Sequence, residues 1–181
     1  MPARLVIING PIASGKSTLA WELGKQFRAG GRSAAVIDLD VVYDMLDHRP
    51  KADTAVWLLA RQTAAALADQ LWRLGVELVV VEGSFCNHAE RAELLDALMT
   101  DVTPLVVTLR ASFGEALRRV QNDSRRKLAS LSRDSTFLAW QHSDFMTRSE
   151  RMPTGDLVVD TEARGTLDIA ALVAGVLDAD T

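Results

Sequence analysis

The chain has 181 residues, 48% hydrophobic and 24% charged, with a net charge of −4 and one cysteine. That length suits a single domain with a sizeable core, and the acidic balance leaves out the basic footprint that duplex nucleic acid requires. No apolar run approaches the roughly 20 residues needed to cross a bilayer, and the N-terminal stretch lacks a signal-peptide core. The lone Cys86 excludes an internal disulfide and gives no support to a metal cluster. A cytoplasmic protein with no membrane partner is expected.

The first element predicted is a strand, Leu5–Asn9, which runs into a glycine-containing turn at Gly10–Ser17. A helix follows over Ser17–Arg28, with Leu19, Leu23 and Phe27 on one stripe. The second strand, Ala35–Asp40, leads into a helix beginning at Val41. Val56, Ala60, Thr63, Leu67, Leu71 and Leu74 recur with a 3.6 period and predict a helix over Thr54–Leu74 with that stripe facing the core. After a third strand, Leu78–Glu82, Asn87 with Glu90 caps a helix over His88–Met99. The fourth strand is Leu105–Leu109, and Ser112 with Glu115 forms a capping box that opens a helix through Val120. Asp134 caps a shorter helix toward Phe145, the fifth strand is Leu157–Asp160, and Thr166 caps a last helix through Leu177. Nearly continuous apolar strands alternating with helices predict an α/β fold, a parallel sheet with right-handed crossovers. No internal boundary interrupts it, so residues 1–181 form one domain.

Gly10-Pro11-Ile12-Ala13-Ser14-Gly15-Lys16-Ser17 matches the phosphate-loop pattern G-x-x-x-x-G-K-[ST]. Gly10 and Gly15 permit backbone geometry and close approach that a Cβ would block. Backbone N–H groups from Ala13 through Ser14 to Thr18, at the start of a helix, point toward an anion with the dipole behind them. Lys16 supplies a mobile positive charge for the outer phosphates, and the Ser17 hydroxyl suits Mg²⁺. Chance alone gives such a match in about one per cent of chains this long, and here it sits between a strand and an amphipathic helix. The pattern therefore predicts binding of ATP and Mg²⁺.

With that loop in a short single-domain chain, the sequence resembles the P-loop kinase group of nucleotide kinases, chloramphenicol phosphotransferase, zeta-type toxins and the kinase half of polynucleotide kinases. The resemblance implies a three-layer α/β/α fold with a five-stranded parallel sheet and a small lid, here at 119–134. It implies that Asp40, at the end of the second strand, is the general base toward an acceptor hydroxyl; Asp38 is its understudy, because strand alternation aims either one inward. It places Glu82 in the Mg²⁺ shell, with Glu where the group usually has Asp. It gives Arg119 a role beside adenine and phosphates, Arg125 or Arg126 a role at the transferred phosphoryl and Arg133 a third such place, where a guanidinium stays ionised and binds oxygens in a fork.

The acceptor is less legible. Tyr43, Trp57, Arg61 and Phe85 fall in the segments from which such kinases build their acceptor pockets, with the aromatic rings available to stack and Arg61 to hold an anion. The signature turns of adenylate and shikimate kinases are missing. The expectation is transfer of the γ-phosphate of ATP to a hydroxyl of a small-molecule acceptor of antibiotic, nucleoside or sugar type. A 5′-hydroxyl polynucleotide kinase or toxin-like nucleotide-sugar kinase is the alternative within enzymes. An ATP-binding accessory or switch protein is the alternative outside them.

Overall fold

Five apolar runs form one parallel sheet: β1 (Arg4–Asn9), β2 (Ala34–Asp38), β3 (Leu78–Gly83), β4 (Pro104–Arg110) and β5 (Leu157–Asp160). Their order across the sheet is β2-β3-β1-β4-β5. The computed structural model describes residues 3–46, 54–124, 131–149 and 156–179. Seven helices are seen among them: α1 (Lys16–Ala29), α2 (Leu39–Leu46), α3 (Thr54–Arg73), α4 (His88–Leu95), α5 (Phe113–Asn122), α6 (Ser135–Ser149) and α7 (Thr166–Ala179). None of the described helices is long and apolar enough to cross a membrane.

The central strand β1 explains the layering. Its side chains alternate faces with the two-residue period of a strand. Val6 and Ile8 join Leu19, Leu23, Phe27, Ile169 and Val173 in a core beneath α1 and α7. Leu5 and Ile7 join Tyr43, Ala60, Ala64, Val81 and Phe85 in a second core beneath α2 and α3. With both faces of the inner strands covered, β1, β3 and β4 read as apolar in sequence, and the three-layer α/β/α arrangement follows. Truncating a fully buried residue such as Ile7 to alanine costs about 2–5 kcal/mol.

Two helices differ from their sequence reading. The buried face of α3 is Ala60, Arg61, Ala64, Ala65, Ala68 and Asp69, while Leu67 and Leu74, expected to face the core, are exposed. The small alanine face lets the helix lie close to the sheet, and close packing outweighs the larger leucines' hydrophobicity. Helix α4 stops at Leu95 rather than Met99. Beyond it Asp69 of α3 accepts the backbone N–H groups of Met99 (2.8 Å) and Thr100 (3.0 Å), which holds this stretch as a turn.

A third difference bears on chemistry. The second strand ends at Asp38, and α2 begins at Leu39, so Asp40 stands in the first turn of a helix rather than on a strand. Asp38 Oδ1 accepts the N–H groups of Asp40 (2.8 Å) and Val41 (3.3 Å), which makes Asp38 the cap of α2.

Candidate active site

The site lies at the carboxyl ends of the strands, where β1 turns into the loop that opens α1. Gly10 has φ +155°, and a Cβ there would stand 2.5 Å from Ser14 Oγ and 2.9 Å from the Leu109 carbonyl. No other residue fits. Gly15, the N-cap of α1, has φ 100°, and Ala13 adopts φ 62°, a left-handed conformation without the freedom of glycine. These two left-handed residues curl the backbone so that N–H groups gather at the start of α1, an arrangement that suits an anion. The loop's arch is held from outside by α6, where Gln141 Oε1 accepts the Ile12 N–H (3.2 Å). Ser14 is fully buried, Ser17 and Thr18 are exposed, and Thr18 faces the adjoining cleft.

Lys16 folds back over this loop. Its Nζ donates to the carbonyls of Gly10 (2.8 Å) and Pro11 (3.0 Å). Burial holds its pKa below the ordinary lysine value, against the upward pull of Glu82, Asp40 and Asp38. Three carboxylates thus lie within electrostatic reach of the one ammonium. Glu82, only 3% exposed, pairs in register with Ile8 of β1 and Asp38 of β2. Burial pushes its pKa up to about 7, opposed by Lys16 and by a hydrogen bond with Ser17. Lysine, serine hydroxyl and acid therefore form one constellation, with Asp38 beside it and Asp40 on the exposed first turn of α2. Gly83 sets the position of that turn, since a Cβ on it would meet Leu39 Cδ1 at 2.8 Å.

On the other side of the loop, Arg119 of α5 donates from Nη1 to the Ala13 carbonyl (3.1 Å) and Thr161 Oγ1 (3.0 Å), and from Nη2 to the Thr161 carbonyl (2.9 Å). Its Nε donates to Glu115 (2.7 Å), whose carboxyl Arg118 and Arg119 together hold down at about 2. Between α1, α5 and the β5–α7 loop opens a cleft lined by Gly15, Thr18, Arg119, Thr161 and Arg164. Arg133 donates to the Asp123 carbonyl (2.7 Å), tying α6's approach to the end of α5. Arg125 and Arg126 lie outside the described residues.

The residues expected around the acceptor are placed differently from one another. Tyr43 and Phe85 are fully buried, and neither ring reaches a surface from which to touch an acceptor. Arg61 is buried and bound to Glu93 (2.6 Å) and Glu90 (3.4 Å). Trp57 is half-buried against Tyr43, ring centroids 4.5 Å apart. In the sequence Glu90 reads only as the partner of the Asn87 cap. Its carboxylate also accepts Cys86 N–H (2.6 Å) and Arg148 Nη2 (2.7 Å), so it joins the turn after β3 to α6. Burial first, then Glu90, pushes the Cys86 thiol up to about 11, where it stays protonated. Asn9 was missed altogether, although a polar residue ending an apolar run directly before Gly10 is a readable signal.

A family model described as an AAA domain matches residues 5–146. No curated protein matches the chain at a significant level. Solved structures share its architecture at low identity. A sugar kinase from Janibacter sp. is 16% identical with a TM-score of 0.69, covering 98% of this chain and 95% of that one. An APS kinase from Mycobacterium tuberculosis, in complex with AMPPNP and APS, is 18% identical with a TM-score of 0.69, covering 98% and 99%. The tunicamycin resistance protein of Deinococcus radiodurans is 16% identical with a TM-score of 0.63, covering 97% and 95%. At these identities the likeness establishes the fold, which is that of P-loop kinases.

Proposed function

The chain belongs to the AAA domain family, and from that premise we propose that it is an ATP-dependent kinase acting on a hydroxyl of a small molecule. One observation carries the reading: Asp38 and Asp40 stand within electrostatic reach of Lys16, beside the loop suited to phosphates. A nucleotide-binding switch needs the loop and one carboxylate for Mg²⁺, but it does not need a further proton acceptor such as Asp40 beside them. Kinases of sugars, shikimate and APS share the fold, and each is described by a small molecule that it phosphorylates or binds.

In this reading the loop's N–H groups and Lys16 hold the outer phosphates, with Lys16 exchanging its two carbonyl partners for phosphate oxygens. Ser17 and Glu82 are hard oxygen donors already in contact, a set that fits Mg²⁺. The ion, when bound, neutralises charge on the phosphate oxygens. Asp40, exposed and next to the lysine, takes the proton of the acceptor hydroxyl as its oxygen attacks the γ-phosphorus, while Asp38 fixes the helix that carries it. Arg119 holds the nucleotide side, and Arg125, Arg126 and Arg133 steady the transferred phosphoryl.

The test is a library of hydroxyl-bearing metabolites and antibiotics, scored by ADP release above the rate with water alone. At least one compound should accelerate release with the wild-type protein and not with Asp40→Asn. If the protein binds MgATP tightly and no compound accelerates release, the kinase reading fails.

A further inference from the structure

Where β1 gives way to the phosphate loop, the β1–β3 ladder loses a strand. The last register pair is Asn9 with Gly83; two residues later, the N–H and C=O of Phe85 need partners that the loop, having turned away at Gly10, cannot offer. The Asn9 side chain supplies both. Its Nδ2 donates to the Phe85 carbonyl (2.9 Å), and its Oδ1 accepts the Phe85 N–H (2.9 Å). The same Oδ1 accepts the Gly10 N–H (2.8 Å). At 1% exposure, none of these groups has water as a substitute, so each bond is costly to lose.

The bridge joins two functional parts. On one side is Gly10, whose carbonyl anchors Lys16. On the other is the turn Phe85–Cys86–Asn87, and its Cys86 N–H is bound by Glu90, which in turn holds Arg148 of α6. Helix α6 returns to the loop through Gln141 and Ile12. Loop, turn and helix thus form a closed circuit of hydrogen bonds, and Asn9 is the link between the first two.

We propose that Asn9 is a positioning residue that sets the phosphate loop and the turn after β3 relative to each other, so that nucleotide affinity depends on its carboxamide. This rests on the reading of the loop as a nucleotide site. Only an amide, or a protonated carboxyl, both donates and accepts at these positions. An aspartate accepts both N–H groups when ionised but turns its second oxygen against the Phe85 carbonyl. Once protonated it donates there and restores the bridge. Burial raises its pKa toward neutrality, so the switch falls in a measurable range. The titratable groups along the circuit, Lys16 over the loop, Glu82 at the end of β3, and Cys86, Glu90 and Arg148 around the turn, are common to wild type and variant.

The experiment measures binding of Mg²⁺ with a non-hydrolysable ATP analogue to wild type, Asn9→Asp and Asn9→Leu at about pH 8 and about pH 5.5. Wild type measured at each pH cancels the shared titrations, and wild-type binding itself tests the nucleotide-site reading separately. Asn9→Asp should bind about tenfold or more weaker than wild type at the higher pH and recover to within about threefold at the lower, the loss expected for a buried hydrogen bond. Asn9→Leu, which carries no charge, should be weakened at both. Amide exchange at Phe85 should be fast in Asn9→Asp at high pH and slow again at low pH. Should Asn9→Leu fail to fold, weakened Asn9→Asp binding with unchanged Phe85 exchange would mean charge repulsion alone and overturn the proposal. Wild-type-like affinity of the folded variants at both pH values overturns it equally.

Discussion

Asp38 accepts the backbone N–H of Asp40 at 2.8 Å, so these two of the three carboxylates near Lys16 have separable tasks. Asp40→Asn leaves this cap intact and should not change the melting temperature, yet should lower acceptor phosphorylation by about a hundredfold or more through loss of the base. Asp38→Ala should cost about 1 kcal/mol of stability by uncapping α2. Thermal melts beside a kinase assay distinguish them. Full activity in Asp40→Asn with loss in Asp38→Asn would move the base two residues back.

Lys16 makes its hydrogen bonds to loop carbonyls rather than to the core. Lys16→Ala should therefore fold normally and lose several hundredfold in turnover, about 3–4 kcal/mol of transition-state stabilisation. Calorimetry and steady-state rates check both halves. Unchanged turnover would remove the loop from the chemistry.

Arg119 binds Ala13, Thr161 and Glu115 at once. Arg119→Lys keeps the charge but cannot reach three partners from a single nitrogen in the fork geometry. MgATP should bind about tenfold more weakly, as for one charged hydrogen bond lost. Titration calorimetry reads this directly, and an unaltered dissociation constant would leave Arg119 a purely structural tie.

Gly83→Ala drives a methyl group into Leu39 and so displaces the start of α2 while leaving the loop untouched. Transfer to an acceptor should fall by about tenfold, as when a reacting group is held slightly out of place, with MgATP affinity preserved. Equal losses in both would mean that the displacement spreads through the sheet.

Glu82 gives the pH dependence. Its folded pKa, about 7, lies above the ordinary carboxylate value near 4.3. The folded form therefore holds the proton more tightly, and this contribution is complete below the unfolded pKa. It is lost as pH rises through the window up to about 7. Glu82→Gln should match wild-type stability near about pH 4 and exceed it at neutral pH. Denaturant titrations at the two pH values test the sign.

What the sequence made legible was whatever a local pattern encodes. The loop, the five strands and the Asn87 and Ser112 caps are all seen, with Asn87 accepting Glu90 N–H (2.9 Å) and Ser112 accepting Glu115 N–H (3.2 Å). The buried face of α3 departs from its periodicity because periodicity ranks leucine above alanine, whereas contact with the sheet favours the smaller side chain. The order of strands, the Asn9 bridge and the convergence of Arg61 and Arg148 on Glu90 depend on residues far apart in sequence. Composition and spacing carry no record of them. Tyr43 and Phe85 read as pocket aromatics for the same reason: a ring that stacks on a ligand and a ring that fills a core look alike on one line of text.

Ala13, with its φ of 62°, limits how this loop can drift under mutation. Glycine enters position 13 with relief of backbone strain, and asparagine tolerates it. Valine, isoleucine and threonine are shut out by their branched Cβ, whatever contacts they add. The residues that position 13 tolerates are therefore a small set. The boundary of that set is drawn by handedness, before any phosphate arrives.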